Sequence, residues 1–149
     1  MNMPQVMGQS VSESDLKRIV CDPLAGDVLV KVADELGEQL SKPLKTSQIR
    51  AILDETQRIG SLFRIGKFEE AVRRAHLLEP KIAYRAKRVA ERDRKAGGAA
   101  ELIADVLKKS LRIVLEKKDD REEVRARYLR FLEFFEAIVA YHKAHGGKD

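Results

Sequence analysis

The chain has no tryptophan, one cysteine and few aromatic residues, and each shortage narrows what it can be. Cys21 alone cannot close an internal disulfide, which predicts a reducing, cytoplasmic setting. Aromatics make up 5% of the residues, and Phe131, Phe134 and Phe135 fall in one apolar stripe near the C-terminal end. Core packing accounts for that stripe, so the composition predicts no stacking platform for unpaired bases. Four prolines and nine glycines leave long stretches free of helix breakers. No apolar run has the length of a membrane span, and Met1–Ser10 lacks the basic start and apolar centre of a signal peptide. Gly97-Gly98 is not followed by Lys-Ser/Thr, so the pair predicts a helix stop or hinge, not a phosphate loop.

What the chain has in quantity is Ala, Leu, Glu, Lys and Arg, with 36% of the residues charged. With 149 residues and clear helical periodicity, it is expected to be all-α, a single-domain bundle of about five or six helices. Residues 1–23 are weakly patterned and predict a flexible arm, with one short helix over Ser12–Val20 as the alternative; residues 24–145 are expected to be the bundle and residues 146–149 a tail. The first helix is expected over about Leu24–Leu40, with Val28, Leu29, Val32, Ala33, Leu36 and Leu40 inward and Gly37 as its weak point. A second follows the basic turn at Lys42 and Lys45, capped by Thr46 or Ser47, with Ile49, Ile52, Leu53, Thr56, Ile59 and Phe63 on one face. Lys67–Leu78 reads as a short third helix that Pro80 ends, and Pro80 as the first turn of a fourth running to Gly97-Gly98. A fifth spans about Ala99–Glu116, with Leu102, Ile103, Val106, Leu107, Leu111 and Val114 inward. The last, about Arg121–His145, starts with Asp120 and Glu123 at capping-box spacing and ends at Gly146-Gly147.

The formal charge is +5 and the pI about 9.4, which favours a polyanionic partner. The excess sits in one window, where Lys81, Arg85, Lys87, Arg88, Arg92, Arg94 and Lys95 outnumber Glu91 and Asp93. Lys81, Arg85, Arg88 and Arg92 are four, three and four residues apart and share a helix face that contains no acid, beside a buried stripe of Ile82, Ala86 and Val89. A cation at every turn of about 5.4 Å can meet successive phosphates of a strand. The free N–H groups after Lys42 and Lys45 form a second expected phosphate seat. Contacts of this kind go to phosphate and sugar and carry no sequence choice.

Other chemistry is thinly represented. His142 and His145 are three residues apart but lack companion ligands, His76 stands alone, and Asp119, Asp120, Glu122 and Glu123 read as helix-start residues. No nucleophile, base and oxyanion site assemble, so no catalysis, metal or cofactor is expected. A helical adaptor or oligomerisation module binding acidic protein partners is the competing reading of the basic face.

Three segments carry a resemblance. Leu44–Arg50 (LKTSQIR), Leu78–Tyr84 (LEPKIAY) with Arg88 following, and Phe134–Lys143 (FFEAIVAYHK) leading to Gly146-Gly147-Lys148 resemble the small subunit of type III-A CRISPR–Cas effectors, the Csm complex. They occur in the family's order over about two-thirds of the chain, and the first block is the most specific. Where many relatives have small residues after the Ala83-Tyr84 pair, this chain has Arg85 and Lys87. The resemblance implies an all-helical, non-catalytic subunit that stacks in several copies along a CRISPR RNA filament and lines the path of complementary target RNA. Cleavage and cyclic-oligonucleotide synthesis belong to other subunits of that complex. On this reading the partners are guide and target RNA, the other Csm subunits and further copies of the chain, with no membrane. Lys45, Arg50, Lys81 and Arg88 lie in or beside the matching blocks. Arg85 and Arg92 rest on helical spacing, and Lys42 on the basic turn, completing the expected RNA-binding set.

Overall fold

In the computed structural model, which describes residues 11–149, the chain forms six helices and, among those residues, no strand. They are α1 (Glu13–Cys21), α2 (Gly26–Ser41), α3 (Thr46–Arg64), α4 (Phe68–Arg92), α5 (Arg94–Leu115) and α6 (Arg121–Ala144). The all-α bundle expected from periodicity is what forms. The stripe Phe131, Phe134, Phe135 and Ile138 is fully buried, and every inward position expected on α5 is buried too.

Helix α6 is the central element, packed against α1, α2, α3 and α5. Its aromatic residues join those of α3 and α4: the rings of Phe63 and Tyr128 lie 4.9 Å apart, Tyr128 and Phe131 5.4 Å, and Phe63 and Phe68 6.3 Å. The Tyr128 hydroxyl donates to the Thr56 carbonyl at 2.9 Å, so the one polar atom of this cluster is satisfied. Burial pushes the Tyr128 hydroxyl pKa well above its ordinary value, which keeps it a donor.

Two of the expected boundaries are corrected by tertiary packing. Residues 12–23 are not an arm. Ser12 accepts the Asp15 N–H at 3.1 Å and starts α1, whose Leu16, Ile19 and Val20 are buried against α5 and α6. A nine-residue helix is marginal alone in water, but three buried aliphatic side chains at about 1.5–3 kcal/mol each hold it here. The rest of the expected arm, residues 1–10, lies outside the described residues.

Pro80 does not end a helix either, and α4 runs through it without a break. Pro80 and His76 are both on the solvent side, so the His76 carbonyl that loses its N–H partner is open to water. Across the same point Leu78 and Ile82 are buried, and Arg112 of α5 donates to both oxygens of Glu79, at 3.1 and 2.9 Å. The basic helix also stops five residues before Gly97, at Arg92. Asp93 closes α4 through its N–H to Val89 and opens α5 by accepting from the Ala96 N–H. Gly97 lies inside α5, where a Cβ would come within 3.3 Å of the Ala90 Cβ, so it allows the hairpin of α4 and α5 to close tightly.

At the other end of the bundle the last residues fold back. Gly146 takes φ +92°, and a Cβ on Gly147 would fall 2.2 Å from the His142 ring. The tail therefore crosses directly over His142, and the Thr46 N–H at the start of α3 donates to the Lys148 carbonyl at 2.8 Å.

Candidate nucleic-acid interface

The second half of α4 presents Lys81, Arg85, Arg88 and Arg92 along one side, with Ile82 and Val89 buried on the other, as the spacing predicts. Lys81, Arg85 and Arg92 are exposed and Arg88 is half-buried. Opposite them runs a face of α3, and between the two helices lie two adjoining depressions.

The first, of about 390 Å³, is lined by Arg85, Arg88, Arg92, Tyr84 and Val89 from α4 and by Ser47 and Gln48 from α3. Its lining contains three guanidinium groups and no carboxylate. Gln48 fixes one wall: its Oε1 accepts the Lys45 N–H at 2.8 Å, and its Nε2 donates to Asp93 at 3.3 Å, linking the start of α3 to the α4–α5 junction. From Arg85 to Arg92 the helix rises by about 10 Å, two turns, so the cations are laid out in a line.

The second depression, of about 560 Å³, continues the groove past Tyr84 and Arg85 to Lys81, Pro80 and Arg58, but Asp54 and Glu55 offset most of its positive charge. Glu55 holds Arg58 at 3.1 Å and Lys81 at 3.4 Å. The stripe on α4 is free of acids, yet its neighbour α3 supplies one, so Lys81 meets an incoming anion already partnered. Helical periodicity within α4 does not reveal a partner on another helix.

The remaining expected residues do not line this groove. Lys42 and Lys45 are exposed in the turn before α3. Arg50 is exposed on α3, three residues from Ser47 and four from Asp54, and lines neither depression. The expected phosphate seat at the start of α3 is closed by the chain itself. The Thr46 N–H is taken by Lys148, the Lys45 N–H by Gln48, and the Ser47 hydroxyl donates to the Asp149 carbonyl at 3.1 Å. Neither Thr46 nor Ser47 caps α3; Lys45 occupies the cap position. Thr46 is buried beside His142 Nδ1 at 3.4 Å, and the other ring nitrogen of His142 bonds to the Leu44 carbonyl. The Lys143 ammonium, with a smaller contribution from Arg50, holds the Asp149 carboxyl below its ordinary range. An acid thus stands where a phosphate was expected.

Sequence reasoning missed Tyr84, Ser47, Gln48 and Arg58 as groove residues. Tyr84 had a signal, since it sits three residues after Lys81 and four before Arg88. It is 60% exposed, with the Arg88 guanidinium 5.8 Å from its ring centre. The aromatic shortage read from composition therefore does not hold locally.

The other candidates have structural roles. His145 faces Asp34 at 2.6 Å while His142 points into the bundle, so the two histidines do not converge. Asp120 caps α6 by accepting the Glu123 N–H at 3.2 Å, whereas the Glu123 carboxylate turns to Arg127 at 2.8 Å and does not complete a capping box. Burial raises the Cys21 thiol pKa, which keeps it protonated. Among the described residues no three His, Cys, Asp or Glu side chains group as metal ligands, and no helix is long and apolar enough to cross a membrane.

Comparison with known proteins shows the family of the chain. Residues 24–148 match the family model described as Csm2 Type III-A. A curated relative, the "CRISPR system Cms protein Csm2" of Streptococcus thermophilus, is 30% identical over 107 residues, covering 71% of this chain and 76% of that protein. No solved structure matches the chain significantly. The family match spans α2 to the folded-back tail and includes the whole groove, and on that basis the chain belongs to the Csm2 family, the small subunits of type III-A CRISPR effector complexes.

Proposed function

We propose that this subunit holds the RNA of its complex by the phosphate backbone, in the groove between α3 and α4. The observation that carries the reading is the depression lined by Arg85, Arg88 and Arg92 with no carboxylate in its wall. Guanidinium groups give bidentate, charge-assisted contacts to phosphate, and a line of them along a helix follows a strand without reading its bases. Lys81 contributes less because Glu55 already pairs with it. Lys42, Lys45 and Arg50 lie outside this wall and act on RNA as it passes along the outer edge of α3.

In this role the protein is a non-catalytic cytoplasmic subunit that works beside guide RNA, target RNA and the other Csm subunits. Each copy makes few contacts, and several copies stacked along the filament supply the affinity that one lacks. Base pairing reads the target sequence and the groove does not, a division of labour shared with other guided effectors.

The test is assembly of the complex with Arg85→Glu, Arg88→Glu and Arg92→Glu combined. Because the guanidinium groups of Arg85 and Arg92 are exposed and Arg88 reaches only Tyr84, the helical circular dichroism should be unchanged. Retained target RNA should fall at least tenfold. For the isolated chain on single-stranded RNA, each cation lost should flatten the slope of log affinity against log salt by roughly 0.7. Full RNA retention by the triple variant would refute the assignment. Salt-sensitive capture of an acidic protein, lost in the same variant while RNA binding persists, would establish the adaptor reading instead.

A further inference from the structure

The chain has three tyrosines, and they are used differently. Tyr128 is fully buried with its hydroxyl bonded, and Tyr141 is half-buried against the ring of His145. Tyr84 is 60% exposed, and it forms part of the wall of both depressions. A lone exposed aromatic ring needs no explanation by itself. Its position does, because this one stands between Lys81 and Arg88 at the centre of the basic groove.

The ring is also held in place. Arg88 lies over it at 5.8 Å from the centroid, and its Nη1 donates to the tyrosine oxygen at 3.4 Å. An aromatic ring oriented in this way, with cations about one turn to either side, matches the chemistry of a nucleotide: a flat base face between two phosphates. Paired RNA offers no such face, since its bases are stacked within the helix and only phosphates and sugar hydroxyls are presented. A groove meant for a duplex would gain nothing from the ring.

We infer that Tyr84 stacks an unpaired base, so that the groove takes a single-stranded or locally unstacked stretch of RNA in preference to continuous duplex. The inference rests on the reading of the groove as an RNA site and names the form of RNA it accepts. Stacking tolerates every base, so this contact adds affinity and strand form without sequence choice.

The experiment uses the full chain and an RNA of about ten nucleotides carrying 2-aminopurine at its centre, free or annealed to its complement. The wild type should bind the single strand more tightly than the duplex and change the 2-aminopurine emission on binding. Tyr84→Ala should weaken single-strand binding roughly tenfold and abolish the emission change, with duplex binding unaltered. Tyr84→Phe, which keeps the ring, should retain both properties. Arg85→Glu with Arg92→Glu should weaken single strand and duplex alike. If Tyr84→Ala leaves single-strand affinity unchanged, or lowers both forms equally, while the charge reversals still abolish binding, stacking is overturned and the phosphate groove stands. If the charge reversals have no effect on RNA held by the assembled complex, the groove reading falls and the stacking inference with it.

Discussion

At Gly37 the backbone of α2 runs against α6 so closely that a Cβ would lie 2.5 Å from the Tyr141 Cβ and 2.7 Å from the His142 backbone nitrogen. The sequence shows a glycine that lowers helix propensity, and only the second helix reveals why it is there. Alanine at an exposed helical site would gain about 1 kcal/mol over glycine. Here Gly37→Ala should instead cost roughly 1–3 kcal/mol, because the atoms in the way are backbone and a Cβ fixed to it, which cannot rotate aside. The check is the midpoint of thermal unfolding, which should fall by several degrees. A rise would mean that α2 and α6 shift apart freely. Lys81 is a similar case at the surface: periodicity identified its face correctly, but its pairing with Glu55 depends on the packing of α3 against α4.

Helix α4 shows how element boundaries are decided. Local rules stop a helix at Pro80, and tertiary contacts at Leu78, Ile82 and Glu79 carry it through. The missing hydrogen bond still has a cost, since the His76 carbonyl has no proline N–H to accept from. Pro80→Ala restores the N–H in a conformation that alanine adopts without strain. It should raise stability by on the order of 1 kcal/mol, the gain being reduced by the greater freedom of the unfolded chain. Denaturant unfolding would measure it, and an unchanged midpoint would show that solvent replaces that bond at no cost. Helix α1 was legible only as an alternative to a flexible arm, for the complementary reason. Its nine residues have weak propensity, and the surfaces of α5 and α6 that hold them are far away in the sequence. Long helices with strong apolar periodicity, α5 and α6 above all, were legible nearly to the residue because burial and period coincide there.

Across the whole molecule, carboxylates with depressed pKa values tie the helices to one another. The backbone and then Arg121 of α6 hold Glu69 of α4 low, hydrogen bonds from Arg112 of α5 hold Glu79 low, and Lys143 holds Asp149 low. A carboxyl whose folded pKa lies below its unfolded value stabilises the fold above the ordinary carboxylate range and ceases to as pH falls through its folded pKa. The bundle should therefore lose stability on acidification below the ordinary glutamate range. Glu79→Gln should melt below the wild type at neutral pH and approach it as the pH falls through the lowered Glu79 pKa. Parallel melting curves for the two proteins at every pH would exclude this linkage. The basic stripe of the candidate site was legible for the same reason as the helices, since one helix carries it. The groove was not, because Ser47, Gln48 and Glu55 reach it from a second helix, and the tail that closes the start of α3 arrives about a hundred residues later, as its Ser47–Asp149 bond shows. That tail offers a practical opening. Ser47 both bonds Asp149 and lines the arginine depression, so a fluorophore attached at residue 149 would stand beside the groove and serve as an optical gauge of its occupancy, with no label on the RNA.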